Sequence, residues 1–491
     1  MEVPLSEDKS PKSDSETSRR RRRNRRPAAD SKSPELIADP EAGAEKSSAP
    51  TAGIPSASAR RKRRRQRGGR GRGGGGGENQ KINPAGVDEL SPDTRVKPTG
   101  RHKTKGDYSR NSAASGASPQ QEVEVSGLLE LRKGGTGFLL PLDSIMAESK
   151  TDVMVPPQMV RKFNLKMGSI ITGKASGPGG KLRFVDTVDG LPANESRRCI
   201  NFNKLRAIDP DFHYELGSFE QEGQISMRII DLLAPIGRGQ RALLVAPPRS
   251  GKTMLMQQIA RGMEALYPDV HLIVLLIDER PEEATYWCRE IKNGEVFVST
   301  MDKTSKQHVR LTGLVQARAE RLVESGREVM ILLDSITRMA RAFNHETSSN
   351  GKTMSGGLDS RAMAKPKKFF GNARNTEEAG SLTILGTCLV ETGSRMDQVI
   401  FEEFKGTGNS ELVLDRRLAD RRIFPAIAID RSGTRKEEKL RTKMTQKKVD
   451  ILRRVLSRMR PLEAMELMVN RLAQFPSNRE FLSAFSMDDV E

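Results

Sequence analysis

Residues 246–253 read Ala246-Pro247-Pro248-Arg249-Ser250-Gly251-Lys252-Thr253, a combination suited to holding phosphate. They follow an apolar run, Ala242-Leu243-Leu244-Val245, and precede an amphipathic helix pattern containing Met254, Leu255, Met256, Ile259 and Ala260. Strand, loop, helix is the setting of a P-loop. Backbone N–H groups and the helix N-terminus hold the phosphates. In that setting Lys252 is expected to neutralise the β- and γ-phosphates of a nucleotide, and the Thr253 hydroxyl to ligate Mg²⁺. Arg249, Ser250, Gly251, Lys252, Thr253 and Met254 are therefore candidate nucleotide contacts. The generic pattern starts with Gly where this chain has Ala246. Two further apolar runs end in acids. His271–Ile277 runs into Asp278-Glu279-Arg280, and Val329–Leu333 runs into Asp334-Ser335. Asp334 fits the carboxylate that holds Mg²⁺ through water, and Glu279 fits the base that orients the attacking water. A lone strand-end acid serves equally well as a cap or an ion-pair partner. Three strand ends of matching kind in one region point to a nucleotide site.

The elements that must position these groups are legible as well. Continuous apolar runs suit strands buried on both faces of a parallel sheet, and ligands bind beyond the carboxyl ends of such strands. Leu382–Leu385, Leu412–Leu414 and Ala426–Ile429 predict three more strands. Two Gly-rich polar loops interrupt the region: Ser348–Gly357, with Lys352, and Glu391–Asp397, with Arg395. Such loops are surface connections, and also where function sits. From Lys436 onward the pattern is helical, with Ile451, Leu452, Val455, Leu456 and Met459 on one face. Met465, Leu467 and Met468 read as core or subunit packing. Upstream, over 121–190, short apolar segments alternate with Gly and Pro turns, which predicts a small β-barrel. Its composition leaves open whether the barrel binds single strands or is purely structural.

The chain has 491 residues and a net charge of +19, of which residues 1–120 carry +12. Arginine blocks at Arg19–Arg26 and Arg60–Arg67 and a Gly/Arg run beyond them dominate that stretch, and Tyr108 is its only aromatic. It has too little apolar surface to offset the entropy of ordering, so a disordered basic arm is expected. The arm reads either as a phosphate-binding segment for nucleic acid or as a solubilising tail. Cys199, Cys288 and Cys388 are too far apart for a disulfide framework or a zinc cluster, and read as small buried thiols in a reducing compartment. Neither a signal peptide nor an apolar run of the ~20 residues needed to span a bilayer is evident. A soluble, cytoplasmic protein with no membrane association is expected, divided into arm (1–120), barrel (121–190), linker (191–215) and ATPase with C-terminal helices (216–491).

The assembled motifs resemble the bacterial transcription termination factor Rho family. The resemblance is carried by Ile236-Gly237-Arg238-Gly239-Gln240-Arg241, the Ala-Pro-Pro P-loop, Leu275–Glu283, Leu332–Arg338, Glu402–Asn409 and Arg431–Glu438. It implies an α/β RecA-like P-loop ATPase with an N-terminal OB/cold-shock-like barrel. Such a protein is an RNA-dependent ATPase and RNA/DNA helicase-translocase that terminates transcription. Its implied partners are single-stranded RNA, further copies of itself in a homohexameric ring, and the RNA polymerase elongation complex. It further implies that Arg435 is an arginine finger reaching a neighbouring subunit's nucleotide, that Arg280 and Arg338 lie near the phosphates or the subunit interface, and that Phe424 stacks on adenine. Lys352 and Arg395 would face RNA in the central channel, the family usually having Lys in place of Arg395. In the barrel, Phe138 matches an RNA-stacking aromatic. Thr136 stands where a second Phe is expected and Met154 where a Tyr is usual, and a further Tyr has no counterpart near Arg183. The family's small helical subdomain before the barrel is not evident either. The alternatives are a rotary-type ATPase subunit, which would not need RNA, and a passive RNA-binding protein with a degenerate ATPase.

Overall fold

The computed structural model describes residues 122–142, 152–220, 223–347, 355–359 and 361–484. The arm expected over 1–120 and Lys352 lie outside the described residues. The barrel is an antiparallel sheet of β1 (Val123–Leu131), β2 (Gly137–Leu140), β3 (Val153–Val155), β4 (Ile170–Ala175), β5 (Leu182–Val188) and β6 (Leu191–Pro192), in the order β3-β2-β1-β4-β5-β6. A bridge between Met154 and Lys181 closes it, with the Met154 N–H donating to Gly180 at 2.9 Å. Alternation decides its two faces. Leu129, Leu139, Val153 and Ile171 fill its own core, whereas Leu128 and Leu140 join a core cluster of the ATPase domain.

A connector follows, with β7 (Ala207–Ile208) and the buried Phe202, Leu205 and Tyr214. The ATPase sheet contains β8 (Arg241–Ala246), β9 (His271–Glu279), β10 (Gly294–Thr300), β11 (Val329–Asp334), β13 (Leu382–Leu389), β14 (Ser410–Val413) and β15 (Gly433–Thr434). Its order is β10-β9-β11-β13-β8-β14-β15, parallel except for the last pair, and β12 (Asn375–Thr376) pairs with β7 apart from it. Both faces are buried. In β8, Leu244 and Ala246 pack on one side with Met465 and Met468 of the C-terminal helices, while Leu243 and Val245 pack on the other. This is the physical reason for the unbroken apolar runs in the sequence.

Two expectations need correction. Ala426–Ile429 is buried but forms no strand. It makes only an isolated bridge, Leu414 to Ile427, so its apolar character reports burial in the core and not pairing. The cysteines are not uniformly buried: Cys388 is, Cys199 is intermediate and Cys288 is exposed on the helix Pro281–Glu290. Among the described residues, no helix is long and apolar enough to cross a membrane.

The barrel is fastened to the ATPase domain along the helix Ser305–Glu324. Arg310 donates to both oxygens of Glu130 in β1, at 2.6 and 2.8 Å. Arg318 reaches Asp189 at 2.7 Å, and Lys166 reaches Glu324 at 2.7 Å. Gly168 lies so close to the backbone of Ala317 and Arg318 that a Cβ there would collide with it. Ion pairs buried at such a junction specify one docking geometry, because leaving either partner unpaired is costly.

Candidate nucleotide site and nucleic-acid face

The loop between β8 and the helix Lys252–Leu266 wraps the helix N-terminus. Arg249 and Gly251 adopt left-handed backbone conformations, with φ of 63° and 89°. The Ser250 hydroxyl donates to the Pro247 carbonyl at 2.7 Å and braces the turn. Thr253 stands in the first helical turn, where N–H groups have no intrahelical partners and favour anions. Met254 is 56% exposed, on the outer side of that turn, and not on the packed face with Leu255, Met256, Ile259 and Ala260. A Cβ added to Gly251 would lie 3.5 Å from the Phe424 ring, so Phe424, 47% exposed, is brought directly over the loop. It arrives there from a segment some 170 residues distant in sequence.

The strand-end acids converge beneath the loop. The Lys252 ammonium donates to both oxygens of Asp334, at 2.6 and 2.5 Å, and lies 3.7 Å from Glu279. Thr387 in β13, adjacent to β11, donates to Asp334 at 2.7 Å. Arg338 lies 3.5 Å from Glu279 and donates to Asp278, both at its carbonyl and, at 3.2 Å, at its carboxylate. Asp334 and Glu279 are almost wholly buried, at 1% and 4% exposure. Burial, with the Asp334 carboxylate beside it, pushes the Glu279 carboxyl up to about 7 against the pull of Lys252 and Arg338. A carboxyl poised near neutrality suits a general base. The chemistry available is phosphate binding at the loop and proton acceptance at Glu279. Thr253 and Asp334 offer the hard oxygen donors that Mg²⁺ prefers.

The remaining candidates sit elsewhere. Arg280 is exposed, at the N-terminal boundary of the helix Pro281–Glu290, immediately after Glu279. Arg435 is exposed beyond the edge strand β15, its N–H donating to Asn409 at 2.9 Å. Arg395 is exposed at the start of the helix Arg395–Lys405. A Cβ at Gly356 would touch the Arg395 backbone, so the described end of the 348–357 loop meets the Arg395 loop. Thr387 escaped sequence reasoning, although the two threonines in the largely apolar run Leu382–Leu389, Thr383 and Thr387, are a signal of buried polar tasks.

On the barrel, Phe138 is half-buried, pairs across β2 and β3 with Met154, and carries the Arg132 guanidinium 4.1 Å from its ring centroid. Phe184, 54% exposed and opposite Lys174, is a second outward aromatic that sequence reasoning passed over. Alternation alone would have placed it inward with Leu182 and Val188; the register shifts between β4 and β5 break that alternation, and Arg183 and Phe184 are both exposed.

Two family profiles match stretches of the chain. A family profile described as the Rho termination factor RNA-binding domain matches residues 125–208. One described as the ATP synthase alpha/beta family nucleotide-binding domain matches residues 226–434. Transcription termination factor Rho 1 of Ehrlichia chaffeensis is 47% identical over 364 residues, covering 72% of this chain and 86% of the relative. Transcription termination factor Rho of Haemophilus influenzae is 48% identical over 368 residues, covering 74% and 87%. Among solved structures, the assembled ATPase of the enteropathogenic E. coli type III secretion system aligns with a TM-score of 0.48 at 22% identity, over 57% of this chain and 71% of that one.

Proposed function

The chain belongs to the transcription termination factor Rho family, and from that premise we propose how its residues divide the work of an RNA-dependent ATPase that terminates transcription. The observation that carries the reading is the convergence of Lys252, Glu279, Asp334 and Arg338 beneath a P-loop roofed by Phe424. ATP enters with its phosphates on the loop N–H groups and its adenine against Phe424. Lys252, beside Asp334 and Glu279, places its charge on the β- and γ-phosphates. Glu279 in its ionised form orients the attacking water and accepts its proton. Thr253 and Asp334 would hold Mg²⁺, directly or through water, and the bound ion would add positive charge beside the phosphates.

Arg435 acts on the nucleotide of the neighbouring copy. Its exposure at the sheet edge, away from its own P-loop, supports a role across an interface, and its planar, permanently charged fork suits charge developing on the γ-phosphoryl group. Arg280, beside Glu279 and exposed, serves the same interface. RNA is held at two levels. Phe138, with Arg132 stacked on it, takes bases on the barrel, and Lys352 and Arg395 take phosphates in the channel of a homohexameric ring. The ring moves along RNA and unwinds RNA/DNA in the cytoplasm, acting on the elongation complex of RNA polymerase.

The test is ATP hydrolysis with and without single-stranded RNA, using poly-C and a mixed sequence. Stimulation is expected, and weaker stimulation by poly-C would follow from Thr136 and Met154. Turnover indifferent to RNA would favour the rotary-type reading, and no turnover in any condition a passive binder.

A further inference from the structure

The segment carrying Arg435 is tethered on both sides, and the second tether comes from outside the ATPase sheet. Before Arg435, the Thr434 hydroxyl donates to the Pro235 carbonyl at 2.8 Å and lies 2.9 Å from that of Ser410. After it, Lys436 turns into the left-handed region, with φ of 58°. A residue with a side chain keeps that conformation where its surroundings enforce it. Here the Lys436 ammonium donates to both oxygens of Asp209, at 2.9 and 2.8 Å, and Lys439 donates to the same carboxylate at 2.8 Å. These two ammonium groups hold the Asp209 carboxyl down to about 2. Asp209 directly follows β7 in the connector that leaves the barrel. That connector is itself fixed, since β7 pairs with β12 and the Asn375 amide donates to Asp211 at 2.8 Å.

We propose that Asp209 is a positioning residue for Arg435: by gripping Lys436 and Lys439 it fixes the turn that aims the Arg435 guanidinium at the neighbouring copy's nucleotide. The proposal rests on the reading of Arg435 as a finger. Half-exposed ion pairs add little to global stability, so the effect belongs to geometry and not to folding. Displacing a catalytic group by about 1 Å costs on the order of 100-fold in rate. The clamp also ties the finger to the polypeptide that comes from the RNA-binding barrel.

Asp209→Ala should lower kcat for ATP by roughly 10-fold or more while the Kd for ATP and the Tm stay at wild-type values. Asp209→Glu, which keeps an acceptor for both ammonium groups, should recover most of the loss. Mixing Asp209→Ala with Lys252→Ala subunits supplies neighbours with intact fingers, and should raise turnover per Asp209→Ala subunit. A defect confined to the variant's own nucleotide site would not respond to such mixing. Wild-type kcat in Asp209→Ala, a parallel loss of ATP affinity or Tm, or no rescue on mixing would overturn the proposal. Arg435→Ala, measured alongside, separates the two readings. If it is inactive while Asp209→Ala is normal, only the clamp fails. If Arg435→Ala hydrolyses ATP normally, the finger fails and the clamp with it.

Discussion

The nucleotide site and the barrel face solve different physical problems. At the nucleotide site, Lys252 at a helix start is interlocked with Glu279 and Asp334 at strand ends, and the two acids are almost wholly buried. On the barrel, Phe138 is half-buried, Met154 stands across from it, and Phe184 projects into solvent. Transition-state chemistry requires a few groups at fixed distances, and the loss of any one is severe. Stacking on single strands is distributed over several platforms, each worth ~1–3 kcal/mol and tolerant of base sequence, so the loss of one leaves the others in place. A chain can therefore keep its catalytic groups while its barrel face is remade, with Thr136 and Met154 at positions where the family resemblance implies aromatics.

Substitutions should separate the two regions by size of effect. The largest falls outside the pocket itself. Arg435→Ala is expected to keep ATP binding and lower RNA-stimulated hydrolysis by ~10³-fold or more, read by nucleotide binding and steady-state turnover. Loss of ATP binding would contradict its placement at a neighbour's site. Glu279→Ala should lower kcat by ~10²–10⁴-fold while RNA binding measured by anisotropy stays unchanged. That unchanged affinity is the part that tests the division between regions. Because burial raises the Glu279 carboxyl to about 7 and the base must be ionised, kcat/KM should rise with pH up to about 7 and level off above it. Below that point it should fall ~10-fold per pH unit. A flat profile from pH 5.5 to 8 would remove Glu279 as the base.

The barrel variants should be milder. Phe138→Ala should weaken RNA binding by ~5–150-fold, the equivalent of one stacking platform, without changing turnover at saturating RNA. Met154→Tyr should tighten binding, most of all to pyrimidine-rich RNA. Removing residues 1–120 should weaken binding and flatten its salt dependence, as expected when phosphate contacts are lost. Equal affinities at several salt concentrations would assign the arm no role in RNA binding.

Local chemistry was readable wherever one short stretch carried it. The P-loop, the acids closing β9 and β11, and the unbroken apolar runs all follow from neighbours in sequence. Contacts between distant segments were not readable. Phe424 over Gly251, Thr387 on Asp334, Arg310 on Glu130 and the Asp209 clamp join residues separated by some 50 to 230 positions. No periodicity encodes them, because they depend on how the sheet orders its strands. Ala426–Ile429 misled for the converse reason. Its apolar composition is the same for a buried strand and for a buried irregular segment, and only pairing distinguishes them. The position of Arg435 at the sheet edge likewise needed the fold, since its motif does not say which nucleotide it faces.

The most direct test is ATP hydrolysis by the full chain and by Glu279→Gln, each with and without single-stranded RNA. Wild-type turnover should rise several-fold with RNA, and Glu279→Gln should bind ATP and RNA yet hydrolyse neither with RNA nor without it. Turnover in the wild type that ignores RNA, or undiminished turnover in Glu279→Gln, would contradict an RNA-dependent ATPase centred on this site.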